Sequence, residues 1–597
     1  MNTVEIIKSR LAKLRSQMEN ANVQACYISG TDPHQSEYLP AYWEARSFIT
    51  GFSGSAGVVV VTKDRAALWT DSRYFLQATT ELEGTGIELM KQRIAGTPEP
   101  ADWLSITLGA AGTVGADFAC LSVNQHNQLS TALNANGLVL RDVDDLLDPI
   151  WEDRPALPTS KIIEHDLQFA GTKRTDKFRD VLQFVKTNGA NATVITALDD
   201  LAWTFNLRGT DVDFNPVFVG FALLSEDQRT LFVDSEKVDS DLVEKLKDDG
   251  VELKAYAAFY DFVSNLHEDS VVMIDPARTN QAVRAAIPKT VKIVEQTSAP
   301  TLLKAQKSTF EIIHIRETMK KDGAAMVNLL YWLDQTVGKS PVSEYDVVEK
   351  LAFFRSQQEG FQGDSFFPIV GLNSNGAIVH RSVTKETAAE ITGEGILLFD
   401  SGGQYLGGTT DITRTIALSK PSTQQKRDFT LVLKGMIGLS MARFPTGTVG
   451  SNLDAYARMH LWKNGLNYGH GTGHGIGYFL NVHEGPMGIR QEYNEQTIKP
   501  GMVLSNEPGI YREGEYGIRI ENVIVCTEKE ETAFGRFLGF ETLTLCPIDL
   551  KLVDRKLLSE EELDWLNQYH RKVLKTLSPL LEKEQVDFLK KLTTEIH

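Results

Sequence analysis

Two pairs of carboxylates and one pair of histidines, all between positions 400 and 521, have the types and spacing to hold cations. The run ILLFDSGGQYLGGTTDITRT puts Asp400 at the end of an apolar strand, a Gly-rich turn after it, and Asp411 on the returning strand. Aspartates on paired strands can point to one face and meet there. The run MVLSNEPGIYREGEYGIRIENVIV repeats the scheme, with Glu507 ending one apolar strand and Glu521 on the next. Four carboxylates gathered in a core repel one another, and a pair of divalent cations relieves this more completely than protonation does. Shared carboxylates can bridge the two cations, and four negative charges against two dications make a near-neutral centre. The run YGHGTGHGIG holds His470 and His474 and offers a nitrogen ligand, and its glycines let the backbone approach closely. A donor set of mostly hard oxygen with one imidazole favours manganese, with cobalt, iron or zinc able to replace it in vitro.

The elements that must position these groups follow an α/β pattern. Ser308 can cap a long helix, Glu311 can complete a capping box, and apolar residues continue at helical spacing through Trp332. Strands such as GILLFD and TTDITRTIAL then alternate with helices, and a mostly helical tail begins near Leu557. Two connectors interrupt the chain: WEDRPALPTS, which carries two prolines, and the stretch 296–308. Upstream of them, VVTKDRAALWTDS resembles LLSEDQRTLFVDS. Each reads as strand, charged turn, strand, closing on Asp-Ser, which points to two copies of one α/β domain.

Composition narrows the function classes. A chain of 597 residues is too long for one core, and 42% hydrophobic with 23% charged residues is ordinary globular usage. Its 61 basic against 79 acidic residues give a formal net charge of -18. That field repels phosphates and argues against nucleic acid or an anionic membrane as a partner. Cys26, Cys120, Cys526 and Cys546 are scattered and form no CxxC pair, so buried free thiols are expected rather than disulfides or a zinc-thiolate site. The N-terminal run MNTVEIIKSRLAKLRSQMEN reads as an amphipathic charged helix without the apolar core of a signal peptide, and no stretch is long enough to cross a bilayer. The expectation is a cytoplasmic protein.

Four runs taken together, GAIVHRS, FDSGGQYLGGTTDITRT, GHGTGHGIGYFLNVHEGP and SNEPGIYREGEYGIRIENV, closely resemble the aminopeptidase P branch of the pita-bread metallopeptidases. The likeness covers the whole chain: EARSFITGFSGSAG and WTDSRYFLQ are similar to the family's first N-terminal domain, NLRGTDVDFNPVF to its second, and LTLCPIDLKLVD to its C-terminal extension. The resemblance implies two creatinase-like α/β domains over 1–157 and 158–303. An α+β pita-bread catalytic domain over 304–530 and a C-terminal extension over 531–597 would follow. It implies an Xaa-Pro aminopeptidase, which removes the first residue from peptides with a penultimate proline.

The same resemblance assigns roles. Asp400, Asp411, His474, Glu507 and Glu521 would hold two divalent metal ions. Asp411 and Glu521 would bridge them, Asp400 would complete one site, and His474 and Glu507 the other. A hydroxide between the cations would attack the scissile carbonyl, with Glu507 as general base. His380 and His483 would orient substrate and stabilise the tetrahedral intermediate. His470 would line the proline pocket, Tyr511 and Arg519 would stand near it, and Arg73 would reach toward longer peptides. Long members of the family are commonly homodimers, so a homodimer is expected. One departure is Arg381, which follows His380 where a tyrosine is common. Two other readings share the fold. A prolidase cuts only dipeptides, and two N-terminal domains and a long tail weigh against it. A metal-free peptide-binding module would not keep the ligand set intact.

Overall fold

The computed structural model of the chain describes residues 3–109 and 111–597. They form two compact units, one ending at Leu302 and one spanning Leu303–His597. The first unit opens with α1 (Thr3–Asn20), in which Ile7, Leu11, Leu14 and Met18 recur at helical spacing and are all buried. One six-stranded sheet follows, built from β1 (Ala25–Ile28), β2 (Val58–Thr62), β3 (Ala66–Thr70), β4 (Glu88–Lys91), β5 (Gly112–Ala116) and β6 (Leu138–Asp142). A second contains β7 (Ala192–Ile195), β8 (Phe221–Ser225), β9 (Arg229–Phe232), β10 (Glu252–Lys254), β11 (Val271–Ile274) and β12 (Lys292–Glu295).

The strand orders are β4-β3-β2-β1-β5-β6 and β10-β9-β8-β7-β11-β12. In each sheet the first strand runs antiparallel to the second and parallel to the fifth, and the outer pairs are parallel. The two look-alike hairpins are therefore equivalent parts of one repeated topology, with Val58 opposite Trp69 and Phe221 opposite Phe232. β2 is apolar along nearly its whole length because neighbours cover both of its faces.

The 151–160 connector has no regular structure, but the second connector contains a short helix, Ala299–Ala305. Pro300 lies in its first turn, where a missing N–H costs no intrahelical hydrogen bond, so the proline disguises the helix.

In the second unit, α2 (Thr309–Thr336) starts at the capping box: Ser308 Oγ accepts from Glu311 N–H at 3.2 Å, and Ser308 N–H donates to Glu311 Oε2 at 2.8 Å. A three-stranded antiparallel sheet joins β13 (Ile369–Leu372), β14 (Ile396–Ser401) and β15 (Ile412–Ala417) in that order. A six-stranded antiparallel sheet has the order β16-β23-β22-β19-β17-β18. Its strands are β16 (Arg443–Pro445), β17 (Gly473–Gly475), β18 (Glu484–Ile489), β19 (Val503–Asn506), β22 (Asn522–Thr532) and β23 (Gly535–Thr542). Between β19 and β22 the chain makes a separate hairpin of β20 (Gly509–Arg512) and β21 (Tyr516–Arg519).

Two expectations about the carboxylate hairpins change. Asp411 immediately precedes β15 rather than lying within it, and Glu521 is not on the strand next after Glu507. The 509–519 hairpin closes on itself and loops out, so β19 pairs with β22 and sets Asn506 opposite Asn522. The unit also contains helices α3 (Thr423–Ser440), α4 (Gly450–Trp462), α5 (Glu560–Leu577) and α6 (Lys583–Leu592). Leu563, Leu566, Val573 and Leu577 of α5 share one core with Ile396, Phe429, Ile518 and Ile520, so the extension is part of the same hydrophobic body as the strands. The four cysteines are unpaired, with Cys26, Cys526 and Cys546 buried. Among the described residues no helix is long and apolar enough to cross a membrane.

Candidate active site

Asp411, His474 and Glu521 each offer a ligand atom within 4.8 Å of the other two. His474 Nε2 is 3.4 Å from Asp411 Oδ2 and 3.4 Å from Glu507 Oε1. Its Nδ1 lies 2.9 Å from Gly475 O, which fixes a proton on Nδ1 and leaves Nε2 as the nitrogen turned to the carboxylates. Close backbone approach builds this corner: a side chain at Gly473 would collide with the Ser505 carbonyl.

The acidic groups are fixed from behind. Arg519 Nη2 donates to Asp400 Oδ2 at 2.6 Å. Thr413 Oγ1 donates to Glu521 Oε2 at 2.8 Å and accepts from Arg519 Nε at 3.0 Å. Ser505 Oγ donates to Glu507 Oε1 at 3.1 Å and accepts from His474 N–H at 3.0 Å. Fully buried Arg414 donates to Glu521 O at 2.5 Å and to Pro547 O at 3.0 Å, tying the strand to the extension.

Burial is the leading cause that raises the carboxyls of Asp400 and Glu521, and the charge of Asp411 adds to it. Burial likewise pushes Glu507 up to about 7 in the metal-free site. For His474 burial pulls downward, but the hydrogen bond to Asp411 and the charge of Glu507 outweigh it and raise the ring to about 9. Asp400 Oδ1 and Glu521 Oε1 are buried without a hydrogen-bond partner. A bare buried acceptor costs on the order of 1–3 kcal/mol, more when charged. Each is the second oxygen of a carboxylate whose first is already held, by Arg519 or by Thr413. Divalent cations would satisfy both, and the oxygen-rich donor set with one imidazole fits them.

The remaining expected residues fall into three places. The ring of His483 stands edge-on to that of His474, with centroids 4.4 Å apart. His470 Nε2 is 2.8 Å from Tyr511 OH, its Nδ1 is 2.7 Å from Gly471 O and 4.0 Å from Glu507 Oε2, and Arg519 Nη1 donates to Tyr511 OH at 2.7 Å. A chain of hydrogen bonds thus runs from His470 through Tyr511 and Arg519 to Asp400. His380 is half-buried on the turn after Ile378. Its neighbour Arg381 turns inward, donating to Glu344 Oε2 at 2.6 Å, Val370 O at 3.0 Å and Thr387 O at 2.7 Å. The arginine that departs from the family pattern is therefore a core ion pair anchoring this loop. Arg73 belongs to the first unit and forms a bidentate pair with Asp71, at 2.8 and 2.7 Å.

Sequence reasoning missed Thr413, Ser505 and Arg414. The threonine run TTDITRT held a signal, because Thr413 lies two residues from Asp411 and so on the same side of an extended chain. Ser505 carries none, since a serine before a glutamate is common.

Residues 313–528 match metallopeptidase family M24, and 536–596 match the C-terminal region of that peptidase family. Residues 10–150 and 153–311 each match a creatinase/prolidase N-terminal domain. The probable Xaa-Pro aminopeptidase P of Laccaria bicolor is 40% identical over 98% of this chain and 91% of its own length. Aminopeptidase P2 of Arabidopsis thaliana is 38% identical, over 97% of this chain and 87% of its own. The X-prolyl aminopeptidase of Caenorhabditis elegans, described as a cytosolic enzyme with a di-nuclear active site, superposes with a TM-score of 0.95 at 33% identity, covering 100% of both chains. The chain belongs to metallopeptidase family M24, in its Xaa-Pro aminopeptidase branch, with creatinase-type N-terminal domains and a pita-bread catalytic domain.

Proposed function

We propose that this protein is an Xaa-Pro aminopeptidase that hydrolyses the bond between the first residue of a peptide and a penultimate proline, in a site for two divalent metal ions. The observation that carries the reading is the convergence of Asp411, His474, Glu521 and Glu507, with Asp400 held by Arg519. Asp400, Asp411 and Glu521 would hold one cation, and Asp411, His474, Glu507 and Glu521 the other, with manganese as the favoured ion. The chemistry such a pair supplies when bound is polarisation of the scissile carbonyl and acidification of the attacking water.

The chain's own residues do the rest. Glu507 Oε1 is tied to Ser505, which leaves Oε2 as the atom that takes the water proton. His483, beside His474, passes a proton to the proline nitrogen as it leaves, and His380 orients the substrate. His470 and Tyr511 line the pocket for the proline ring. Proline has a fixed φ and no N–H, so a rigid pocket offering no acceptor at that point selects it. Arg73 reaches toward longer peptides. Cytoplasmic residence and a homodimer belong to the same reading, the first supported by the cytosolic relative.

The test is hydrolysis of Arg-Pro-Pro and Arg-Pro with and without added Mn2+. Metal-dependent release of arginine from the tripeptide is expected. Marked preference for the dipeptide would make the protein a prolidase, and absence of both cleavage and bound metal would defeat the peptidase reading. Glu507→Gln and Asp411→Asn should each nearly abolish turnover while far-UV circular dichroism stays unchanged. His483→Ala should lower the rate roughly 10²- to 10⁴-fold and leave metal content intact.

A further inference from the structure

The loop that carries His470 has no strand or helix of its own. Residues 466–472 run between α4 and β17, with glycine at 469 and 471. What fixes it is a buried ion pair on α4. Arg458 and Asp454 lie one turn apart, 1% and 2% exposed, with Arg458 Nε donating to Asp454 Oδ2 at 2.6 Å. The other guanidinium nitrogens point at the loop. Nη1 donates to Tyr468 O at 2.7 Å and to Asn467 Oδ1 at 3.0 Å, and Nη2 donates to His470 O at 2.7 Å. The guanidinium also lies over the Tyr468 ring, 3.8 Å from its centre. Asp454 Oδ1 accepts from Thr472 Oγ1 at 2.6 Å, and Thr472 O accepts the amide of Glu507 at 2.8 Å. One ion pair thus holds the carbonyls of Tyr468 and His470 and the side chain of Thr472, whose own carbonyl accepts the Glu507 amide.

A buried guanidinium must satisfy the N–H groups its carboxylate leaves over, and Arg458 directs its Nη1 and Nη2 bonds to the loop rather than to its own helix. The planar five-donor fork of arginine is what three separate loop acceptors and one carboxylate require, and a lysine cannot span them. We propose that Arg458 and Asp454 are positioning residues for His470, holding the loop so that the enzyme selects proline at the second position. The inference rests on the reading that His470 lines the proline pocket.

Wild type, Arg458→Lys, Thr472→Val, His470→Ala and the Arg458→Lys/His470→Ala double variant should be compared on Arg-Pro-Pro and Arg-Ala-Pro with metal content measured. Arg458→Lys should raise KM for Arg-Pro-Pro roughly tenfold or more, with kcat changed less and the preference for proline over alanine reduced. Thr472→Val, which leaves the ion pair in place, should shift the same preference more weakly. The Arg458 effect should vanish in the His470→Ala background, since groups acting as one unit are not additive. Amide hydrogen exchange over 467–472 should rise in Arg458→Lys whatever the activity. Unchanged exchange, or full additivity with His470→Ala, would overturn the inference. A wild type that cleaves neither peptide would instead overturn the functional reading and leave the exchange result to decide whether the pair holds the loop.

Discussion

Two carboxylates of the centre, Asp400 and Glu521, are held through one oxygen and bare at the other, and that division decides what single changes should do. Thr413→Val removes the hydroxyl that Glu521 Oε2 and Arg519 Nε share. Loss of a hydrogen bond behind a ligand typically weakens metal affinity roughly 10- to 100-fold, and calorimetric titration with Mn2+ should show a loss of that size. Proton binding should oppose the metal. In the metal-free site Glu507 is raised from 4.5 to about 7 and His474 from 6.5 to about 9. Between about pH 4.5 and 9 the folded state therefore holds more protons than the unfolded chain, so metal-free stability falls as pH rises. Cations displace those protons, and the rise in melting temperature on adding Mn2+ should grow from pH 5 to pH 8; an increment independent of pH would contradict this. The acidic residues and histidines of the centre were legible because they sit in short runs of unusual composition. Thr413, Ser505 and Arg458 were not, because hydroxyls and arginines are common and only the fold reveals what they face.

At the scale of elements, local signals were readable and non-local pairings were not. The capping box at Ser308 and the two repeated hairpins follow from spacing within a few residues. The pairing of β19 with β22 across an inserted hairpin has no local signature, and the 299–305 helix was hidden by its proline. The extension reads as a helical tail without chemistry, yet α5 is wired into the strands. Its Tyr569 OH accepts from Arg414 Nη2 at 3.0 Å, and its His570 Nε2 accepts the Ile548 amide at 3.1 Å. Burial, then the charge of Arg414, lowers His570 to about 4 from 6.5. The unfolded chain takes up this proton first, so the stability is intact above pH 6.5 and lost as pH falls toward 4. The loss between pH 7 and pH 5 should be roughly 2 kcal/mol. His570→Gln should keep an acceptor for Ile548 and remove that loss, so urea unfolding at the two pH values should show a smaller drop in the variant than in the wild type. Equal drops in both proteins would show that His570 titrates freely.

For the molecule as a whole, a net charge of -18 makes copies of the chain repel, so self-association needs a face from which that charge is missing. The outer side of α4 is such a face. Its exposed residues include Asn452, Ala455, Tyr456, Met459, Trp462 and Lys463, with no carboxylate among them, and the one acid of the helix, Asp454, is turned inward. Tyr456, Met459 and Trp462 recur every third residue and form an apolar stripe rich in the residue types that anchor interfaces. The same helix therefore presents a carboxylate-free face outward and the His470 clamp inward. The two sides meet on Asn467, whose Oδ1 accepts from Trp462 Nε1 at 3.1 Å and from Arg458 Nη1 at 3.0 Å. If the proposed homodimer uses this face, Trp462→Glu places a carboxylate where a second copy must pack, and sedimentation velocity should move from twice the mass of one chain to a single chain with circular dichroism unchanged. Trp462→Phe keeps the apolar surface but loses the Nε1 donor, so it should sediment as a dimer while KM for Arg-Pro-Pro rises modestly. A glutamate variant that sediments as the wild type does would remove α4 from the interface.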